Sequence, residues 1–205
     1  VTGAEPYLDL DTGVLRNRLG ITDPAELAQA EAELTALRLV ELRRRPLPGV
    51  YDLAHLQAFH WHIFGDVYEW AGRLRTVSIG KGQLFCLPQH LDTFAAEVFG
   101  KLHRNDLLRG LELDQFVDRL TEVLDDVNAL HPFREGNGRT QRAFLTQLAG
   151  AAGYELRWTA MDPAENNEAS RAALAGDPTG LRAMLARLVR PLSQPPPQRP
   201  APLTG

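Results

Sequence analysis

The chain predicts an all-α domain carrying one small β-hairpin, and three features lead to that class. Apolar residues recur at three- and four-residue spacing through most of the 205 residues. Helix-start signals of the Asp-Pro kind, as at Asp23-Pro24, stand just ahead of those runs. A single stretch, TVSIGKGQLFC at 76–86, instead alternates apolar and polar residues on both sides of Gly80-Lys81-Gly82, a hairpin pattern. A hydrophobic fraction of 44% with 23% charged residues suits one soluble globular domain. That domain is expected over 1–190, ahead of a disordered tail at 191–205 in which six of fifteen residues are proline.

In chain order, residues 1–20 carry no sustained period and read as an ordered arm. Asp23 caps and Pro24 opens a helix whose apolar face holds Leu27, Ala30, Leu34 and Leu37; the run Arg43, Arg44, Arg45 is a basic helix end ahead of Pro46. Asp52 caps the next helix, with Leu53, Leu56, Phe59, His60 and Ile63 on one face. His55, His60 and His62 do not make a zinc site, because there is neither HExxH nor a cysteine set, and positions two apart on a helix do not face each other. After the hairpin, expected at about 75–86, Pro88 opens a helix through Leu91, Phe94, Val98 and Leu102. The clearest helix follows, with Leu113, Phe116, Val117, Leu120, Val123, Leu124, Val127 and Leu130 on one stripe that delivers His131 rigidly. Asp125, Asp126 and Asn128 near its end read as solvated positions. Phe144, Leu145 and Leu148 bury the helix after the loop, which Gly150 or Gly153 ends, and AENNEASRAAL and LRAMLARLV supply the last two helices.

Chemistry concentrates in HPFREGNGRTQR, residues 131–142. Pro132 pushes His131 out of the helical region and releases its imidazole into a loop. Gly136, Asn137 and Gly138 allow a tight turn into a new helix, whose first N–H groups and dipole favour phosphate. Arg139 and Arg142, three apart on that helix, point toward the same ligand. Glu135 offers Mg2+ a hard oxygen beside phosphates, and His131 is the one group here that takes a proton near neutral pH. On its residues alone, the loop binds a Mg-polyphosphate and presents it with a general base. Lys81 between two glycines is not a P-loop, since GxxxxGK[ST] is absent.

The same string resembles the signature of the Fic (filamentation induced by cAMP) family, HxFx(D/E)GNGRxxR, and every fixed position is filled: His131, Phe133, Glu135, Gly136, Asn137, Gly138, Arg139 and Arg142. Trp70, Ala71, Gly72 and Arg75 match the WAG-like segment of that family, and an NxxAS-type segment follows at Asn166, so the resemblance runs over roughly 7–189. It implies a Fic-type helical bundle with a small β-hairpin flap over the active site, in which Val77, Ser78, Ile79, Gly80 and Lys81 dock the target by strand addition. It implies a protein adenylyltransferase that moves AMP from Mg-ATP to a Ser, Thr or Tyr hydroxyl of another protein. His131 would be the base and Glu135 the Mg2+ ligand. Gly136, Asn137 and Gly138 would bind the α-phosphate, Arg139 and Arg142 the β- and γ-phosphates, and Phe133 would anchor the loop. Transfer of UMP, phosphocholine or a bare phosphate stays open as an alternative, as does a nucleotide-gated binding module that catalyses nothing, although such a module has no need of a base.

Many Fic proteins carry an inhibitory helix of the form (S/T)xxxE(G/N). Here Glu precedes Gly or Asn only at Glu135 and Glu165, and neither has Ser or Thr four positions earlier. The expectation is therefore an inhibitor in trans, a small antitoxin-like partner whose Glu meets Arg142. A net charge of -4 without a basic run argues against nucleic acid and an anionic membrane surface as partners. The single cysteine, Cys86, excludes an internal disulfide. With no signal-like stretch and no run of membrane-spanning length, cytoplasmic residence is the expected location.

Overall fold

The computed structural model describes residues 5–80 and 84–193. Lys81 and the chain from 194 onward, most of the expected tail, lie outside the described residues. Among the described residues the α-helices are α1 (Pro24–Arg44), α2 (Leu53–Phe64), α3 (Leu91–Arg104), α4 (Leu113–Leu130), α5 (Asn137–Ala152), α6 (Pro163–Leu174) and α7 (Thr179–Leu188). None of them is long and apolar enough to cross a membrane.

Three of the starts are set by aspartate. Asp23 accepts from the amides of Ala25 and Glu26 at 2.9 and 2.8 Å, Asp52 from His55 at 2.8 Å, and Asp162 from Ala164 and Glu165 at 2.7 and 3.0 Å. Helix α4 is central: its apolar stripe packs against α3, α5, α6 and α7. Helix α5 lies on α2 and α4, and its Phe144 is fully buried, meeting Tyr51, His55, Phe59 and Phe99 edge-on with centroids 5.7 to 6.0 Å apart. One continuous core therefore holds the two helices that flank the motif.

Among the described residues, the regular strands lie outside the alternating stretch. Strands β1 (Tyr154–Leu156) and β2 (Val189–Pro191) form a two-stranded antiparallel sheet with Tyr154 opposite Pro191 and Leu156 opposite Val189. The expected hairpin is reduced, among the described residues, to an isolated bridge between Gly80 and Leu84 and one bond from Phe85 N–H to the Ile79 carbonyl at 3.2 Å. At its two ends, Arg75 N–H bonds the Pro132 carbonyl and Cys86 N–H the Ala129 carbonyl, both at 2.9 Å. Those bonds hold both ends of the segment to the end of α4. Arg190 and Pro191 belong to β2, and Leu192 N–H reaches the Gly153 carbonyl at 2.9 Å, so the expected tail starts inside the sheet.

Because Phe144 fills the space between α2, α3 and α5, Phe144→Ala is expected to cost about 3–5 kcal/mol of unfolding free energy, read from urea denaturation with an unchanged m-value.

Candidate active site

Helix α4 ends on His131, which sits in the left-handed region at φ 42° and ψ 59°. Pro132 disfavours the right-handed helical region for the residue before it, and a left-handed imidazole-bearing residue holds only if its surroundings fix it. They do. His131 N–H still closes on the Val127 carbonyl at 3.1 Å, and Arg75 Nε donates to the His131 carbonyl at 2.8 Å. The Arg75 guanidinium also donates through Nη1 to Val77 O at 2.8 Å and through Nη2 to Cys86 O. It is 2% exposed and has no carboxylate partner among the described residues; burial pulls its pKa down. On the ring, Nδ1 lies 3.3 Å from the Asn128 carbonyl. A carbonyl only accepts, so Nδ1 carries the hydrogen and Nε2 is the basic nitrogen. Phe85 lies flat against the imidazole, with centroids 3.7 Å apart and planes 9° from parallel.

The loop after His131 is built around a buried histidine. His60 accepts from Gly72 N–H at Nδ1, 2.8 Å, and donates from Nε2 to the Glu135 carbonyl, 2.9 Å, while Phe133 and Phe64 stack on it with centroids 3.9 and 4.8 Å away. One neutral tautomer satisfies both bonds, and burial pulls the pKa down to about 4. Phe133, the expected anchor, therefore stands on an aromatic stack. Gly136 turns the chain at φ 80°, and a Cβ there would lie 2.3 Å from the Phe64 ring, so both conformation and space demand glycine. The Asn137 amide, expected beside the α-phosphate, is turned into the loop: it accepts from Phe133 N–H at 3.0 Å and donates to Phe133 O at 2.7 Å.

Helix α5 starts without a side-chain cap, so its first amides remain open to a ligand. The Arg142 guanidinium lies beside Gly138, 3.2 Å from where a Cβ would stand. Among the described residues it has no ion pair; burial, then the Arg139 charge, lowers its pKa. Arg139 is placed otherwise. Its Nη2 meets Glu31 Oε1 at 2.5 Å, its Nη1 donates to Thr35 Oγ1 at 3.2 Å, and its charge lies 4.7 Å from the Phe64 centroid. Tyr68 donates to the other Glu31 oxygen, and burial together with that carboxylate raises the Tyr68 pKa. The two arginines expected to share one ligand thus divide, one anchored to α1 and one left without a counter-ion. Glu135 accepts from Gly136 N–H through Oε1 at 2.8 Å, whereas Oε2 has no partner among the described residues. A half-exposed carboxylate oxygen beside open helix amides fits Mg2+, which takes one or two carboxylates and completes its shell with phosphate and water.

These groups open on one cavity of about 700 Å3. His131, Glu135, Gly136, Asn137, Gly138, Arg139 and Arg142 line it on one side, and Asn167, Ser170 and Arg171 of α6 on another. Of the expected docking residues, Ile79 and Gly80 reach its rim, Ser78 is exposed, and Val77 serves through its carbonyl. Phe133 stays behind the wall. The sequence reading missed Glu31, Phe85 and Trp158, and it took Asn128 as solvated although that residue is 8% exposed, lines the cavity and has no partner for Nδ2 among the described residues. Spacing held a signal for two of them. Glu31 stands four after Leu27 and four before Thr35, and Asn128 four after Leu124, all facing inward.

Residues 50–149 match the Fic/DOC family. The protein adenylyltransferase VbhT of Bartonella schoenbuchensis is 40% identical over 184 residues, which make up 89% of this chain and 38% of VbhT, so the chain spans well under half of that relative. The probable protein adenylyltransferase Fic of Escherichia coli K12 is 37% identical over 188 residues, 91% of this chain and 93% of that protein. Among solved structures, BepC of Bartonella tribocorum with bound AMPPNP superposes with a TM-score of 0.85 at 26% identity, over 90% of this chain and 96% of that one.

His60 makes stability pH-dependent. Its pKa of about 4 lies below the unfolded value near 6.5, so its contribution is whole above pH 6.5 and is lost as pH falls toward 4. The unfolding free energy is expected to drop across that window by about 3 kcal/mol more in the wild type than in His60→Gln, which cannot titrate; denaturant titrations at each pH measure the difference.

Proposed function

The chain belongs to the Fic/DOC family, and from that premise we propose that it is a protein adenylyltransferase, moving AMP from ATP to a Ser, Thr or Tyr hydroxyl of another protein. The observation that carries the proposal is Arg142. A half-buried guanidinium with no counter-ion among the described residues, beside uncapped helix amides and in one cavity with an oriented imidazole, suits a polyanion. The relatives' names and the AMPPNP bound by BepC support ATP as that polyanion.

In the proposed reaction the target hydroxyl oxygen attacks the α-phosphorus. A new P–O bond forms, the bond to the α,β-bridging oxygen breaks, and pyrophosphate leaves. The hydroxyl proton passes to His131 Nε2, whose ring is oriented by the Asn128 carbonyl and the Phe85 face. The open amides of the first turn of α5, Gly138 among them, meet the developing charge, and Arg142 holds the terminal phosphates. Arg139, fixed by Glu31 and Thr35, lends its charge from a set position, and Asn137 serves by keeping the loop closed. Glu135 would hold Mg2+, which when bound neutralises phosphate charge. The flap around Val77–Lys81 docks the target, with Ile79 and Gly80 at the cavity rim. A cytoplasmic location suits an enzyme that draws on ATP. Restraint by an antitoxin-like partner in trans, its Glu meeting Arg142, is in keeping with the absence of (S/T)xxxE(G/N) from these 205 residues.

The test is transfer from ATP labelled on the α- or the γ-phosphate, with bacterial lysate as target. Label from the α-position is expected, and His131→Ala should reduce it by about 10²- to 10⁴-fold without loss of nucleotide binding. Label from the γ-position alone would make the protein a kinase and sink the proposal. Arg142→Ala should weaken ATP binding roughly ten- to hundredfold, leave AMP binding nearly unchanged, and leave the ligand-free protein at least as stable, since a half-buried cation with no counter-ion among the described residues is removed.

A further inference from the structure

Arg75 is the buried charge that this reaction leaves without a task. Its guanidinium gives one N–H to each of three carbonyls from three segments: His131 O from Nε at 2.8 Å, Val77 O from Nη1 at 2.8 Å, and Cys86 O from Nη2. Its own amide holds Pro132 O, and Cys86 N–H returns to Ala129 O, both at 2.9 Å. No carboxylate among the described residues neutralises it. What compensates the charge is these three carbonyl dipoles, that of His131 lying at the C-terminal, negative end of α4. The same few residues therefore settle two things at once: the left-handed peptide that presents the imidazole, and the course of both stems of segment 77–86, whose Phe85 covers that imidazole.

We infer that Arg75 is a positioning residue for the transfer: one guanidinium bolts the backbone of the base to both stems of the segment that docks the target, so that hydroxyl and imidazole are aligned as a unit. The inference rests on the adenylyltransferase reading. A planar fork serves three divergent carbonyls; the ammonium of lysine, a single point, does not reach all of them. No atom of Arg75 lines the nucleotide cavity. Its effect therefore belongs to catalysis and to target docking, not to nucleotide affinity.

The experiment is Arg75→Lys in the full chain, with ADP affinity, AMP transfer to protein and melting temperature measured side by side. ADP affinity is expected to stay within about twofold of wild type, while kcat for transfer falls by about tenfold or more. Loss of ADP affinity in step with kcat would reduce Arg75 to a general structural role, and an unchanged kcat in a folded variant would also overturn the inference. Should the variant not fold, hydrogen exchange on the wild type decides. The amides of Arg75, Cys86 and His131 are expected to open together with one protection factor, and independent, faster exchange at Arg75 and Cys86 would overturn the coupling. A wild type that transfers no AMP fails the adenylyltransferase reading instead, and the exchange measurement still judges the coupling by itself.

Discussion

A helix that must stop at a fixed residue leaves carbonyls behind it, and much of this protein is arranged around the carbonyls at the end of α4. Pro132 forbids another turn, so His131 goes left-handed, and Ala129, His131 and Pro132 present oxygens with no helical donor. Each is met by residue 75 or 86. Left unpaired, buried acceptors of this kind would cost about 1–3 kcal/mol each.

Beyond His131, the chain is held by an aromatic stack instead of by a conventional cap. His60 is neutral, sits between Phe64 and Phe133, and ties Gly72 to the Glu135 carbonyl. Gly136 fits because Phe64 occupies the space where a side chain would go. Electrostatics then splits the two arginines of α5. Glu31, held by Tyr68, neutralises Arg139 from α1, whereas nothing described neutralises Arg142. A cavity with two unpaired arginines would repel its own scaffold. With one paired and one open, the site stays folded and still draws an anion.

How far the site was legible follows from how local each part is. The spacing of His131, Glu135, Gly136, Asn137, Gly138, Arg139 and Arg142 lies within twelve residues, so it survives any reading of the chain. The partners that tune it come from far away: Glu31 is 108 positions from Arg139, and Arg75 is 56 from His131. Asn128 reads as polar and solvated because identity says nothing about what a neighbouring helix covers. Asn137 reads as a ligand because an amide can face either way; its two bonds to Phe133 turn it inward.

By itself the sequence determined the helices, through three-four apolar spacing and the aspartates Asp23, Asp52 and Asp162 that start three of them, and it determined the chemistry of the loop, through residue types at fixed spacing. Those are local properties, decided within a turn or two of the chain. Only the tertiary structure decided that the sheet joins Tyr154–Leu156 to Val189–Pro191, since strands of three residues are too short to show a period and are held by a partner more than thirty positions away. It alone decided, too, which charges are paired. Whether an arginine finds a carboxylate or a row of carbonyls depends on which elements pack beside it, and that is a property of the whole fold.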